Sequence, residues 1–260
     1  MEPTEHLTAL ERDGQMLAAA AELAGLGAAV PSCPPWRVRD LVRHQGFVHR
    51  WAASYVREQR TSATPEPGEA DLLGSGPGDD ELLAWYRTGH TELLVTLRAA
   101  DPATTCWTVV PGPSCVASWA RRQAHETAIH RVDAELAGGA ATPFPAEFAE
   151  DGIDELLTGF FGQDPGRAGT IAAGPGEVLA IRAKDTGQSW YVQLTSDGKG
   201  AYAVGRGEST DAPACILAGS ASALYLLLWN RAELETAGVA VAGDADVLSA
   251  WRENMRVTWE

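Results

Sequence analysis

Apolar and polar positions in roughly the first 160 residues of this 260-residue chain recur with a helical period. Residues 8–29 (TALERDGQMLAAAAELAGLGAA) are rich in Ala and Leu and predict a first helix. VPSCPPW then breaks it, because two adjacent prolines do not continue a helix interior. A second helix is expected from Val38 to Glu58. A third is expected from Asp80 to Ala99, with Leu82, Trp85, Tyr86, Leu93, Leu94 and Leu97 as its apolar stripe. The intervening 61–80 is a Pro/Gly/acid loop, long enough to be mobile or to cover a site. Ser118 is a candidate N-cap for a fourth helix, Trp119 to Leu136, ended by Gly138-Gly139. FAEDGIDELLTGFF (148–161) predicts a further helix closing this domain.

GQDPGRAGTIAAGPG reads as a linker by its Gly and Pro content, and beyond it the pattern changes. VLAIRAKD, SWYVQLTSD and KGAYAVGRG are short strand-like runs separated by the turn signals DTGQ and SDG. ACILAG and GVAVAGD are further strands. SASALYLLLWNR, capped by Ser220, and ADVLSAWRENMR are helices. The expected fold is α+β in two domains: a helical domain at 1–162, a linker at 163–176, and a small α+β domain at 177–260, a strand meander with two helices.

Composition narrows the function classes. No stretch approaches the ~20 uninterrupted apolar residues a membrane helix needs. The acidic start MEPTEHLTALERD lacks the basic region of a signal peptide, so the chain reads as cytoplasmic. Its four cysteines, Cys33, Cys106, Cys115 and Cys215, form no CxxC pair and are expected to be reduced. Net charge is -15, spread along the chain: residues 1–150 carry 12 basic and 20 acidic side chains, residues 151–260 carry 8 and 15. A nucleic-acid binder needs a basic stripe to displace counterions, and none is visible. Nothing reads as a coiled coil, and a monomer is expected. All six histidines (His6, His44, His49, His90, His125 and His130) lie in the first half, so any imidazole chemistry belongs there.

RRQAHETAIHRVDAE sets Glu126 and His130 four residues apart. At 3.6 residues per turn they stack on one face, about 6 Å apart at Cβ, and both can reach one ion. Trp119, Arg122 or Gln123, and Asp133 share that stripe. An isolated E-x-x-x-H is more often a solvated face than a metal site. The run is also one residue too long for the zinc-protease H-E-x-x-H. His125 and His130 point about 140° apart on one helix, which makes His125 a structural or outer residue. His44 and His49 are likewise five apart, so one of them faces any site. His44 shares its stripe with Leu41, Val48, Trp51 and Tyr55, whereas His49 groups with Gln45 and Ala53, a weaker core stripe.

CPPWRVRDLVRHQGFVHRWA, followed by WARRQAHETAIHRVDAE and FAEDGIDELL, resembles the mycothiol-dependent maleylpyruvate isomerase family. VLAIRAKDTG, LLLWNR and VAGDADVLSAWR extend the resemblance over nearly the whole chain. It implies a DinB-like four-helix bundle followed by a sterol-carrier-like domain. It also implies a zinc ion held by His44, Glu126 and His130, with mycothiol as thiol cosubstrate. Arg37 stands where such sequences often place a Ser or Thr helix cap.

Two imidazoles and one carboxylate leave a zinc site with an open position, the catalytic pattern. None of the cysteines lies in the two ligand-bearing helices, so a thiol supplied by a cofactor is the natural occupant. The expected activity is mycothiol attack on a small-molecule electrophile, either cis–trans isomerisation of a maleylpyruvate-like substrate or S-transfer. Arg231 and Arg122 are candidate cations for an anionic substrate; as a plain salt-bridging residue, Arg122 is the better fit. The other readings are a metal-stabilised, non-catalytic bundle joined to an apolar-ligand carrier domain, and a metal-dependent nuclease, which the acidity of both halves disfavours.

Overall fold

A computed structural model describes residues 1–63, 76–161, 177–194, 202–209, 211–235 and 237–254. The chain divides into two units, Met1–Thr142 and Pro143–Thr258. The helix expected to close the first domain therefore belongs to the second unit. Most of the 61–80 loop and all of the 163–176 linker lie outside the described residues.

In the first unit, α1 (Pro3–Ala24) begins with proline at its first turn, and Glu5 accepts a hydrogen bond from the Glu2 N–H at 2.7 Å. Both features favour a helix start, which is why α1 begins before residue 8. It ends at Gly25, whose φ of 82° is costly for any residue with a Cβ. The following loop forms a β-bridge between Ala29 and Arg37 and contains a cis Pro34-Pro35 bond.

α2 (Val38–Glu58) follows directly. Arg37 has no acceptor to offer as a cap, and the Asp40 carboxylate instead receives the Arg37 N–H at 2.9 Å. α3 (Asp79–Ala99) matches expectation. α4 (Cys115–Ala137) starts a turn earlier than expected: the Ser114 hydroxyl accepts from the Ala117 N–H at 3.2 Å, while Ser118 donates back to the Ser114 carbonyl. α1 packs on α4 and α3, and α2 packs on α3 and α4, around Leu10, Leu17, Leu41, Leu82 and Leu93.

Cys106 and Cys115 are joined as a disulfide, contrary to the expectation of four reduced thiols; Cys33 and Cys215 are not disulfide-bonded. The loop after α3 folds back on the start of α4, where Trp119 donates its indole N–H to the Trp107 carbonyl at 2.9 Å.

In the second unit, α5 (Ala146–Asp154) runs into wider π-helical turns at Glu155–Phe161. Five strands follow: β1 (Val178–Ala183), β2 (Ser189–Leu194), β3 (Tyr202–Arg206), β4 (Cys215–Gly219) and β5 (Ala240–Gly243). Their order is β3-β2-β1-β4-β5, with β1 and β4 parallel and every other pair antiparallel. The expected meander thus holds only for β1 to β3. β1 is apolar and buried through Val178–Ile181, as a central strand must be, so it accepts a partner on each edge. α6 (Ala221–Leu228), capped by Ser220, packs on α5 through Tyr225 against Phe144 and Phe148. α7 (Ala245–Asn254) covers β4. Among the described residues, no helix is long and apolar enough to cross a membrane.

Candidate metal centre

α4 is buried along almost its whole length although it is rich in polar residues. Arg122, Gln123, Glu126, Thr127, His130 and Asp133 are all 4% exposed or less. Burying such groups is costly unless each finds a partner, so their contacts define what the helix is for.

Among the described residues, one cluster made wholly within the first unit has ligand geometry. His44 from α2 and Glu126 and His130 from α4 place one donor atom each within 4.8 Å of one another. Glu126 Oε1 lies 3.2 Å from His130 Nε2 and 3.5 Å from His44 Nε2. That oxygen is buried, and among the described residues no hydrogen bond of good geometry reaches it. The other oxygen, Oε2, is held by Arg122 at 2.8 Å. The three residues named from the sequence are therefore brought together, and Arg122 is the salt-bridging residue of the two alternatives.

Electrostatics separate the two imidazoles. Burial pushes His44 below its ordinary pKa, and the Glu126 carboxylate restores only part of the loss. Burial acts on His130 in the same direction, but the Asp133 and Glu126 carboxylates outweigh it and push that ring up to about 9. Burial raises the Glu126 carboxyl, and the facing imidazoles with Arg122 overcome this and hold it well below the usual carboxylate range. The site thus combines an ionised carboxylate, a neutral imidazole and an imidazole whose proton a cation can displace.

Two features were not legible as parts of the site. Asp133, recognised only as a member of the same stripe, accepts from His130 Nδ1 at 2.8 Å and from the Ser32 hydroxyl at 2.5 Å. The 30–37 loop, read as a helix breaker, brings the half-buried Trp36 ring to 5.0 Å from the His44 ring and 6.3 Å from the His130 ring. The H-x-x-D spacing was the available signal for Asp133; nothing local announced Trp36.

The remaining histidines of the first unit lie outside this cluster. His49 is fully buried, not on a weak stripe: its Nε2 is hydrogen-bonded to Gln45 and Thr127 at 2.9 Å, and its ring packs beside Tyr86 and His90. His90 bonds the Leu10 carbonyl at 3.0 Å. His125 is fully buried, with its ring 6.0 Å from that of His6. Arg231 follows α6 in the second unit and donates to the Trp229 carbonyl at 2.9 Å.

Two family models match the chain: the mycothiol maleylpyruvate isomerase N-terminal domain over residues 7–135 and the corresponding C-terminal domain over residues 147–250. The chain belongs to this family. No curated protein matches its sequence. Among solved structures, a mycothiol-dependent maleylpyruvate isomerase is similar at 14% identity and a TM-score of 0.62, with 93% of each chain covered. A histidine-to-alanine mutant of such an enzyme gives 14% identity and a TM-score of 0.63, again over 93% of each chain. The UbiJ-SCP2 ubiquinone synthesis protein is similar over 40% of this chain and 90% of its own, at 20% identity and a TM-score of 0.29.

Proposed function

We propose that the chain is a mycothiol-dependent enzyme in which His44, Glu126 and His130 hold a divalent metal, zinc by the chemistry of the donor set. It acts on a small electrophile, by cis–trans isomerisation of a maleylpyruvate-like substrate or by S-transfer. The observation that carries this reading is Glu126 Oε1. A buried carboxylate oxygen without a well-formed hydrogen bond, faced by two imidazole nitrogens, is costly in a metal-free protein and natural beside a cation.

When bound, the metal supplies Lewis acidity, keeping a coordinated thiol in its nucleophilic thiolate form near neutral pH. The chain's own residues do the rest. Arg122 occupies Glu126 Oε2, so the carboxylate presents a single oxygen. His44 and His130 turn Nε2 toward that oxygen from two different helices, which fixes the donors with little freedom. Trp36 sets an apolar ring beside both imidazoles, 5.0 Å from the His44 ring and 6.3 Å from the His130 ring. With three protein donors, His44, Glu126 and His130 would hold the ion and leave it open to a thiol.

The test is zinc content together with turnover. Wild type is expected to bind one zinc, and His44→Ala, Glu126→Ala and His130→Ala to lose it. Wild type is further expected to turn over maleylpyruvate or another electrophile only when mycothiol is present. Full metal retention in all three variants sinks the site. Turnover that ignores mycothiol sinks the cosubstrate.

A further inference from the structure

We infer that Asp133 is the positioning residue for His130, selecting which of its ring nitrogens faces the metal and anchoring the 30–37 loop to the same ring; this rests on the metal reading above. Asp133 is fully buried and lies one turn beyond His130 on α4, so its carboxylate comes up beside the ring on the side away from Glu126. Oδ2 accepts from His130 Nδ1 at 2.8 Å, while His130 Nε2 points at Glu126 Oε1, 3.2 Å away. A neutral imidazole that donates from Nδ1 carries its lone pair on Nε2, the atom aimed into the site. The carboxylate therefore determines the tautomer and the ring rotation together.

The other carboxylate oxygen reaches outward to the loop. Oδ1 accepts from the Ser32 hydroxyl at 2.5 Å, and Cys33 Sγ lies 3.6 Å from Oδ2. Trp36, four residues after Ser32, is the ring that flanks His44 and His130. One buried acid thus connects the orientation of a ligand to the position of the site's aromatic wall. Glu135, two residues further along α4, shows what a purely structural acid does on this helix: it binds Arg131 at 2.9 Å and the Thr142 N–H at 2.8 Å, away from the site.

Asp133 also sets the charge. A dication and Arg122 against Glu126 and Asp133 leave one net positive charge. A single anionic thiolate neutralises it.

The experiment measures zinc affinity of the full-length chain by competition with a chromophoric chelator, beside 15N NMR of the histidine rings. Asp133→Asn is expected to bind zinc about 10–100-fold more weakly than wild type. Wild-type affinity in that variant overturns the inference. In zinc-loaded wild type, the His130 ring, recognised by its absence in His130→Gln, is expected to be protonated at Nδ1 and ligated through Nε2. Ligation through Nδ1 overturns the inference even if Asp133→Asn does not fold. If wild type binds no zinc, the metal reading itself falls, and the wild-type titration alone reveals that case. Zinc binding by wild type with unchanged affinity in Asp133→Asn removes only the role of Asp133.

Discussion

Arg122 grips one oxygen of Glu126 at 2.8 Å, one turn away on the same helix, and both side chains are almost completely buried. The pair explains how a carboxylate is kept ionised inside a helical bundle and why only one of its oxygens faces the two histidines.

Removing one member of such a pair leaves the other as a buried charge with reduced compensation. Arg122→Gln is expected to destabilise the metal-free protein by about 3 kcal/mol in urea unfolding. Saturating zinc should recover part of that loss, because the cation takes over the neutralisation of Glu126. Equal losses with and without zinc would argue against a cation at this carboxylate.

Acid should destabilise the bundle through His49. Burial, with His90 beside it, holds His49 well below 6.5 when folded, whereas the unfolded chain takes up that proton near 6.5. The unfolded state therefore binds more protons, and the stability His49 contributes is present above pH 6.5 and lost as pH falls. His130 has the opposite sign: raised to about 9, it contributes stability below 6.5 that is lost as pH rises through about 9. In metal-free protein, His49→Gln is expected to make unfolding free energy fall less steeply from pH 6 to pH 4. One fully unmatched proton accounts for about 1.4 kcal/mol per pH unit.

The cap of α4 offers a local test. Ser114→Ala removes the acceptor for the Ala117 N–H and should cost about 1 kcal/mol by thermal or urea unfolding. Ser118→Ala removes only a bond back to the Ser114 carbonyl and should cost less. The reverse order would restore the later helix start that the sequence suggested.

Gly46 is the fourth case. A Cβ there would run into the Trp85 ring, which has Arg50 stacked 4.0 Å over it and the Arg50 Nη2 bonded to its carbonyl at 2.7 Å. Ring and guanidinium are locked together, so neither yields easily. Gly46→Ala is expected to cost about 1–3 kcal/mol, despite the better helix propensity of alanine.

The helices around the site were legible because periodicity is a local property: α2 and α3 fall within a residue or two of where their apolar stripes place them. The pairing of Glu126 with His130 was legible for the same reason, since helical spacing alone stacks residues four apart. Helix starts were less so, because at Ser114 and Ser118 two equally good capping residues compete and the turn before the helix decides. β4 was recognised as a strand, but its parallel pairing with β1 depends on which edge of a buried strand is open, and that is not written in either segment.

By itself, the sequence determined the helical periods, the α+β change of pattern and the one-faced Glu126–His130 pair, all consequences of backbone geometry acting over a few residues. Only the tertiary structure decided that His44 from α2 meets that pair, that Arg122 takes one oxygen of Glu126, and that Asp133 joins His130 to Ser32 about a hundred positions away. Those contacts join residues whose separation along the chain carries no geometric information until the helices pack and burial forces each polar group to find a partner.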